Sequence, residues 1–369
     1  MLLNTFQHIK GIGKKTEEAL WKKGVISWDA YASMLSTQFS LFRDWAPDSM
    51  SVSQEAYENG DMGFFAENLP TSLYYRVALT YPDETLFLDI ETTGLSLYYD
   101  QITIVGWSLG RKFGVWVKGE NASGLLETLE STKVIVTFNG TLFDLKFLKK
   151  AFPGISIPPV HIDLRFLAKR VGLSGGQKAI ESSIGFKRPH SVEGMQGESA
   201  PVLWYRYHRG DLNAFKRLIR YNHSDIEGMK YILDYAINGM YDLDRIPKSL
   251  RSKPEFSKLK STIKWAKTHE INNPYAIHLS ESKEDFRPLI HYNQLNRIVP
   301  LTDMVIVGID LVSSEERESG YCILRGNEAD TCRMKSDEEM IRAAQDAKAK
   351  LISIDSPLSI PKGRLSFFD

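Results

Sequence analysis

From Thr85 onward the chain narrows its own fold: three strand-like runs in succession, then helix and strand patterns in alternation. "TLFLDIE", "QITIVGWSL" and "KFGVWVKG" carry the apolar content of strands, and Gly110-Arg111-Lys112 between the last two reads as a hairpin turn. A helix is predicted over "ASGLLETLES", a buried strand over "KVIVTFN", an amphipathic helix over "LFDLKFLKKAF" and a short strand over "PPVHIDL". A long helix is predicted from Leu212 to Gly239. That order belongs to the α/β class with a mixed sheet and flanking helices.

The flanks read differently. Residues 1–60 look helical, with Gly11-Ile12-Gly13 ahead of a helix signal over Thr16–Lys23 and Gly24 as its stop. Residues 61–84 are mixed and punctuated by Pro70 and Pro82. The α/β domain is expected over 85–240, and residues 241–300 are polar and aperiodic, as in a connector with short helices. Residues 303–369 are expected to form a second, partial α/β unit, its strands ending at Asp310 and Asp355. No repeat shows at solenoid periods.

Composition sets outer limits. Lys+Arg and Asp+Glu both number 46, so no whole-chain charge points to nucleic acid, although a local basic patch suffices to bind it. Two cysteines, Cys322 and Cys332, exclude a disulfide framework and a four-cysteine zinc site, fit a reducing cytoplasm, and are expected in the core. The N-terminus lacks the apolar core of a signal peptide, and no run reaches the roughly 20 apolar residues of a membrane span.

The chemistry is concentrated in acids. In "LFLDIETTGL", Asp89 and Glu91 are i and i+2 on a strand and project to one face, where two like charges repel unless a cation or a shared proton intervenes. Alone, the pair reads equally as an exposed strand end. Asp144 lies in the first turn of a helix, where the dipole favours an acid and where a capping role is common. Tyr221 and Asp225 in "YNHSD" are i and i+4 and share one helical face. Asp163 ends a strand, as a neighbour of the acids or as the cap of the next helix.

Taken in order, these segments resemble the DnaQ-like 3'-5' exonucleases of the DEDD type, on a ribonuclease-H-like fold. The resemblance covers about Thr85 to Gly239. Asp89-Ile90-Glu91-Thr92-Thr93-Gly94 matches the first motif, "NGTLFD" with Asn139, Phe143 and Asp144 the second, and Tyr221 with Asp225 the tyrosine form of the third. His223 stands only two residues from Asp225, so the tyrosine form fits better than the histidine form. Within the superfamily the region is similar to the YprB-type predicted exonucleases. The resemblance implies phosphodiester hydrolysis with two Mg²⁺ or Mn²⁺ ions held by Asp89, Glu91, Asp144 and Asp225. It implies that Tyr221 orients the attacking water, that Thr92, Thr93 and Gly94 offer backbone donors to the terminal nucleotide, and that Leu95 wedges against its base. The substrate implied is nucleic acid, as a single strand or a 3' end. A silent nuclease fold that only binds nucleic acid, or a ribonuclease-H-type endonuclease, are the alternatives.

"IKGIGKKTEEALWKKGV" resembles a helix-hairpin-helix element, which implies DNA phosphate contact through Gly11, Gly13, Lys14 and Lys15. The C-terminal "GID" and "IDSPLSIPKGR" segments resemble an uncharacterised ribonuclease-H-like family. Oligomeric state is not legible.

Overall fold

A computed structural model describes residues 1–37, 47–195, 199–208, 210–263, 305–310, 318–325 and 328–355. The expected connector beyond residue 263, most of the "IDSPLSIPKGR" segment and residues 196–198 lie outside them. The chain divides into two compact units, Met1–Ile277 and His278–Asp369.

In the first unit, β1 (Thr85–Thr92), β2 (Ile102–Leu109), β3 (Lys112–Val117), β4 (Val134–Thr137) and β5 (Val160–Asp163) form one sheet in the order β3-β2-β1-β4-β5. The first three strands are antiparallel and β4 and β5 run parallel to β1, which is the mixed sheet of a ribonuclease-H-like fold. The expected hairpin is present, with Gly110 at φ 55° in its turn.

Alternation along β1 sorts its side chains between two cores. Leu86, Leu88 and Ile90 pack with Leu125 and Leu129 of α6 (Ser123–Glu130) and Phe147 and Leu148 of α7 (Asp144–Ala151). Phe87 lies on the opposite face, with Ile226, Met229 and Leu233 of α11 (Leu212–Leu243). Asp89 and Glu91 share the parity of Phe87 and therefore project toward that long helix. The helix opens on Asp211, whose carboxylate accepts from Ala214 N at 3.0 Å, and its first half packs on α10 (Ser199–His208).

Residues 61–84, mixed in sequence, form α4 (Met62–Asn68) and α5 (Tyr74–Thr80). The segment ahead of them holds α1 (Lys14–Lys22), α2 (Trp28–Thr37) and α3 (Pro47–Glu58). Phe6, Leu20, Trp21 and Trp28 share one apolar core with Val77, Val134, Ile162 and Ile237, so this helical segment packs on the sheet unit itself. Arg76 of α5 lies at the centre of that contact. It is fully buried, bridges Glu17 of α1 at 3.0 Å and Asp244 just past α11 at 3.5 Å, and stacks near Trp21. The start of the polar stretch after residue 240 also joins the core: Phe256 is buried, and Asp234 accepts from Phe256 N and Ser257 N, both at 2.9 Å.

The second unit holds β6 (Val305–Asp310), β7 (Ser319–Arg325), β8 (Glu328–Met334), α12 (Asp337–Asp346) and β9 (Leu351–Asp355), with strand order β8-β7-β6-β9. That order repeats the first four strands of the larger sheet. Asp310 and Asp355 end adjacent parallel strands and are partners in register. The core placement expected for the cysteines does not hold for Cys332, which is exposed on the edge strand β8; Cys322 is half-buried. Among the described residues, no helix is long and apolar enough to cross a membrane.

Candidate active site

The long helix α11 lays its polar turn over the end of β1. Asp89, Glu91 and Asp225 each offer a carboxylate oxygen, and the three oxygens lie within 4.8 Å of one another. The i, i+2 pair comes from the strand and the third acid from the helix, as the sequence pattern requires. Asp144 joins from the first turn of α7, where its Oδ1 accepts from Ile90 N at 3.3 Å. It is buried behind β1.

The electrostatics are adverse without a counter-charge. Burial, then the neighbouring charges of Asp225, Glu91 and Asp144, push the Asp89 carboxyl well above the usual range. Glu91 rises for the same reasons, burial first and then Asp225 and Asp144. Burial pushes Asp144 up to about 7, and burial also raises Asp225 against the pull of Arg188. Glu91 Oε1 is buried and accepts no hydrogen bond. An all-oxygen donor set, mutual repulsion and an unsatisfied carboxylate oxygen fit a hard divalent cation.

A cleft of about 1070 Å³ opens on this cluster, lined in part by Asp89, Glu91, Asp225, Tyr221, Gln177 and Lys178. Of the residues expected at the substrate, Thr92, Gly94, Leu95 and Phe143 also line it. Leu95 is 86% exposed at its mouth. Thr93 and Asn139 do not line it. Thr93 Oγ1 donates to Asp100 Oδ1 at 2.8 Å and closes the β1–β2 loop. Asn139, at φ 66°, shapes the β4–α7 turn and accepts from Arg165 at 2.6 Å.

Asp163 is a cap and turn residue: it accepts from Arg165 N at the start of α8 (Leu164–Arg170), and from Asn139 N and Thr141 N. His223 turns away from the cleft and bonds to Ser261 at 3.1 Å. Far from the acids, Gly11 has φ 87° and Gly13 is the N-cap of α1. Lys14 Nζ donates to Leu243 O at 2.5 Å and lies 3.8 Å from Asp244, so its charge is engaged by the end of α11; Lys15 is exposed.

Several members of the site carry no sequence motif. Asn222 Nδ2 donates to Asp89 Oδ2 at 2.8 Å and to Asp89 O at 3.1 Å. Lys178, in α9 (Gln177–Ser183), donates to the Tyr221 hydroxyl at 2.8 Å. Arg188 bridges Glu181 and Asp225. The signal for Asn222 was its place beside Tyr221; Lys178 and Arg188 had none.

Residues 86–237 match the RNase_H_2 family model, described as RNase_H superfamily, and this stretch is a ribonuclease-H-like domain. No curated protein matches the chain. Among solved structures, NrnC of Brucella melitensis with bound Mg²⁺ is similar at 18% identity and TM-score 0.26, over 47% of this chain and 92% of that one. The same protein bound to pGG shows 19% identity and TM-score 0.25, over 47% and 91%. The EXO domain of Aedes aegypti Nibbler shows 9% identity and TM-score 0.29, over 46% and 89%.

Proposed function

We propose that the first unit is a divalent-metal-dependent 3'-5' exonuclease of the tyrosine DEDD type, which hydrolyses phosphodiester bonds at the 3' end of single-stranded DNA or RNA in the cytoplasm. The observation that carries this reading is the meeting of Asp89, Glu91 and Asp225 within 4.8 Å in a cleft that Tyr221 also lines. Those three acids, with Asp144 behind them, would hold two Mg²⁺ or Mn²⁺ ions. Bound there, such ions would make water easier to activate at neutral pH and would offset charge on the leaving oxygen.

The chain's own groups position the reaction. Burial and the nearby Asp225 charge push the Tyr221 phenol far up, so at neutral pH it keeps its proton and orients water through hydrogen bonds. Lys178 fixes that hydroxyl and brings positive charge to the cleft wall for a phosphate. Asn222 locks the Asp89 carboxylate. Thr92 and Gly94 would face the terminal nucleotide, Phe143 its sugar or base, and Leu95 would wedge against the base; Thr93 and Asn139 would hold the loops that present them. Gly11, Gly13 and Lys15, all exposed, would add a sequence-independent phosphate contact.

End-labelled single strands of DNA and RNA, digested with Mg²⁺, Mn²⁺ or EDTA, test the reading. Stepwise mononucleotide release from the 3' end, lost in EDTA, is expected. Internal cuts point instead to an endonuclease, and binding without cutting to a silent nuclease fold.

A further inference from the structure

Arg188 takes no part in the chemistry above, yet its guanidinium touches one of the three clustered acids. Its Nη2 donates to Asp225 Oδ1 at 2.5 Å and to Glu181 Oε1 at 2.8 Å, and its Nε donates to Glu181 Oε2 at 2.6 Å. Glu181 is buried and seated in a slot left by Gly228, where a Cβ would stand 2.0 Å from Glu181 Oε1. Gln177 secures the same arrangement, donating to Glu181 Oε1 at 2.8 Å and to Asp225 O at 2.7 Å.

The Arg188 side chain is only 10% exposed, and its Nη1 is buried with no hydrogen-bond partner. One guanidinium therefore serves two carboxylates, and a matched pair with Glu181 alone would already balance its charge. Asp225 is the second claimant on Arg188, and it is also the acid a divalent ion needs.

We propose that Arg188 is an internal counter-cation that competes with the divalent ion for Asp225, so that metal binding is an exchange of one positive charge for another. This rests on the reading that Asp89, Glu91 and Asp225 hold a cation. In the metal-free chain Arg188 keeps the repelling acids ordered. When the ion takes over the charge of Asp225, Glu181 retains Arg188 through its bidentate bond. Arg188 is a positioning residue: it acts through Asp225 and lowers the affinity of the site for metal.

The test is Mn²⁺ titration by calorimetry, together with thermal unfolding in EDTA, on the full chain. The variants are Arg188→Gln, Arg188→Lys and the double Glu181→Gln/Arg188→Gln, in which no Glu181 charge is left buried alone. Arg188→Gln and the double variant are expected to unfold at lower temperature in EDTA yet to bind Mn²⁺ about tenfold more tightly, because a positive charge a few ångström from the ion is gone. Arg188→Lys, which keeps the charge and loses the bidentate geometry, should lie between them and the unaltered chain. Should Arg188→Gln fail to fold, the double and lysine variants carry the same comparison. Mn²⁺ affinity that is unchanged or weakened in the variants overturns the proposal, since a purely structural arginine gives that result. If the unaltered chain binds no Mn²⁺, or Asp89→Asn binds it equally well, the cation site itself is wrong and the proposal falls with it.

Discussion

Asn222 occupies its place because residue 106, across from Asp89 on β2, is a glycine: a Cβ there would stand 1.7 Å from Asn222 Oδ1. The amide fills the space of the missing side chain and reaches Asp89 with its nitrogen. The missing side chain of a residue on one strand thus makes room for the helix residue that holds a carboxylate on the next. Gly106→Ala should displace Asn222 and release Asp89. We expect turnover to fall roughly 10²-fold, the loss typical of a misplaced reacting group, and stability to fall by about 1–3 kcal/mol from overpacking. Steady-state nuclease kinetics and urea unfolding read the two effects. Asn222→Ala, which frees Asp89 without a clash, should reproduce the first far more than the second.

Asp89→Asn removes one of the repelling charges. Turnover should drop by roughly 10³-fold or more, since the stabilisation a bound cation supplies is lost. In EDTA the same variant should be more stable than the unaltered chain, by about 1 kcal/mol, because like-charge repulsion is relieved. Loss of stability in EDTA would contradict the electrostatic account of the cluster.

Tyr221→Phe separates orientation from metal binding. The phenol keeps its proton at neutral pH, so its removal takes away hydrogen bonds and no ligand. Turnover should fall roughly 10²-fold while Mn²⁺ affinity by calorimetry stays at the level of the unaltered chain. Equal losses in both would place the hydroxyl on the ion.

The acid cluster also sets a pH dependence. Carboxyls raised in the folded state, Asp144 to about 7, hold protons there that the unfolded chain has already released above pH 4. The folded state then binds more protons than the unfolded one, so stability falls as pH rises through that window. Buried His8 works the other way. Desolvation lowers it to about 4, so the unfolded chain takes up its proton first and stability falls as pH drops below about 6.5. The difference between unfolding in Mg²⁺ and in EDTA cancels His8 and isolates the acids. That difference should grow from pH 5 to pH 8, as read from urea midpoints.

Asp89, Glu91, Tyr221 and Asp225 were legible because their spacings are local: i and i+2 on a strand, i and i+4 on a helix. Three successive strands with a hairpin turn between the last two, followed by alternating helices and strands, were legible for the same reason, while the strand directions came from the structure. The partners that hold these side chains were not. Gly106 and Asn222 lie far apart in sequence, as do Glu181 and Gly228, and each pairing exists only once α11 crosses the sheet. Lys178 and Arg188 carry no sequence signal, because nothing in their neighbours reveals the acids they meet. Residues 1–60 read as helical with no sign of the sheet unit they pack on, and Phe256 lies in a stretch that reads as a polar connector although its ring is buried in the core.

Arg76 decides how this chain can be shortened. A fragment that begins at Thr85 keeps every acid of the cleft, yet it strips Glu17, Trp21 and Arg76 itself from the end of α11 and uncovers the apolar face of β4 and β5. Even Arg76→Met in the full chain leaves the carboxylate of Glu17 buried without its cation, at about 3–5 kcal/mol, and leaves Asp244 with only the half-exposed Lys14. The smallest piece that folds around the acid cluster should therefore start near Met1 and run past Phe256. A fragment cut to the motif-bearing stretch alone should aggregate, with its acid cluster complete but unsupported.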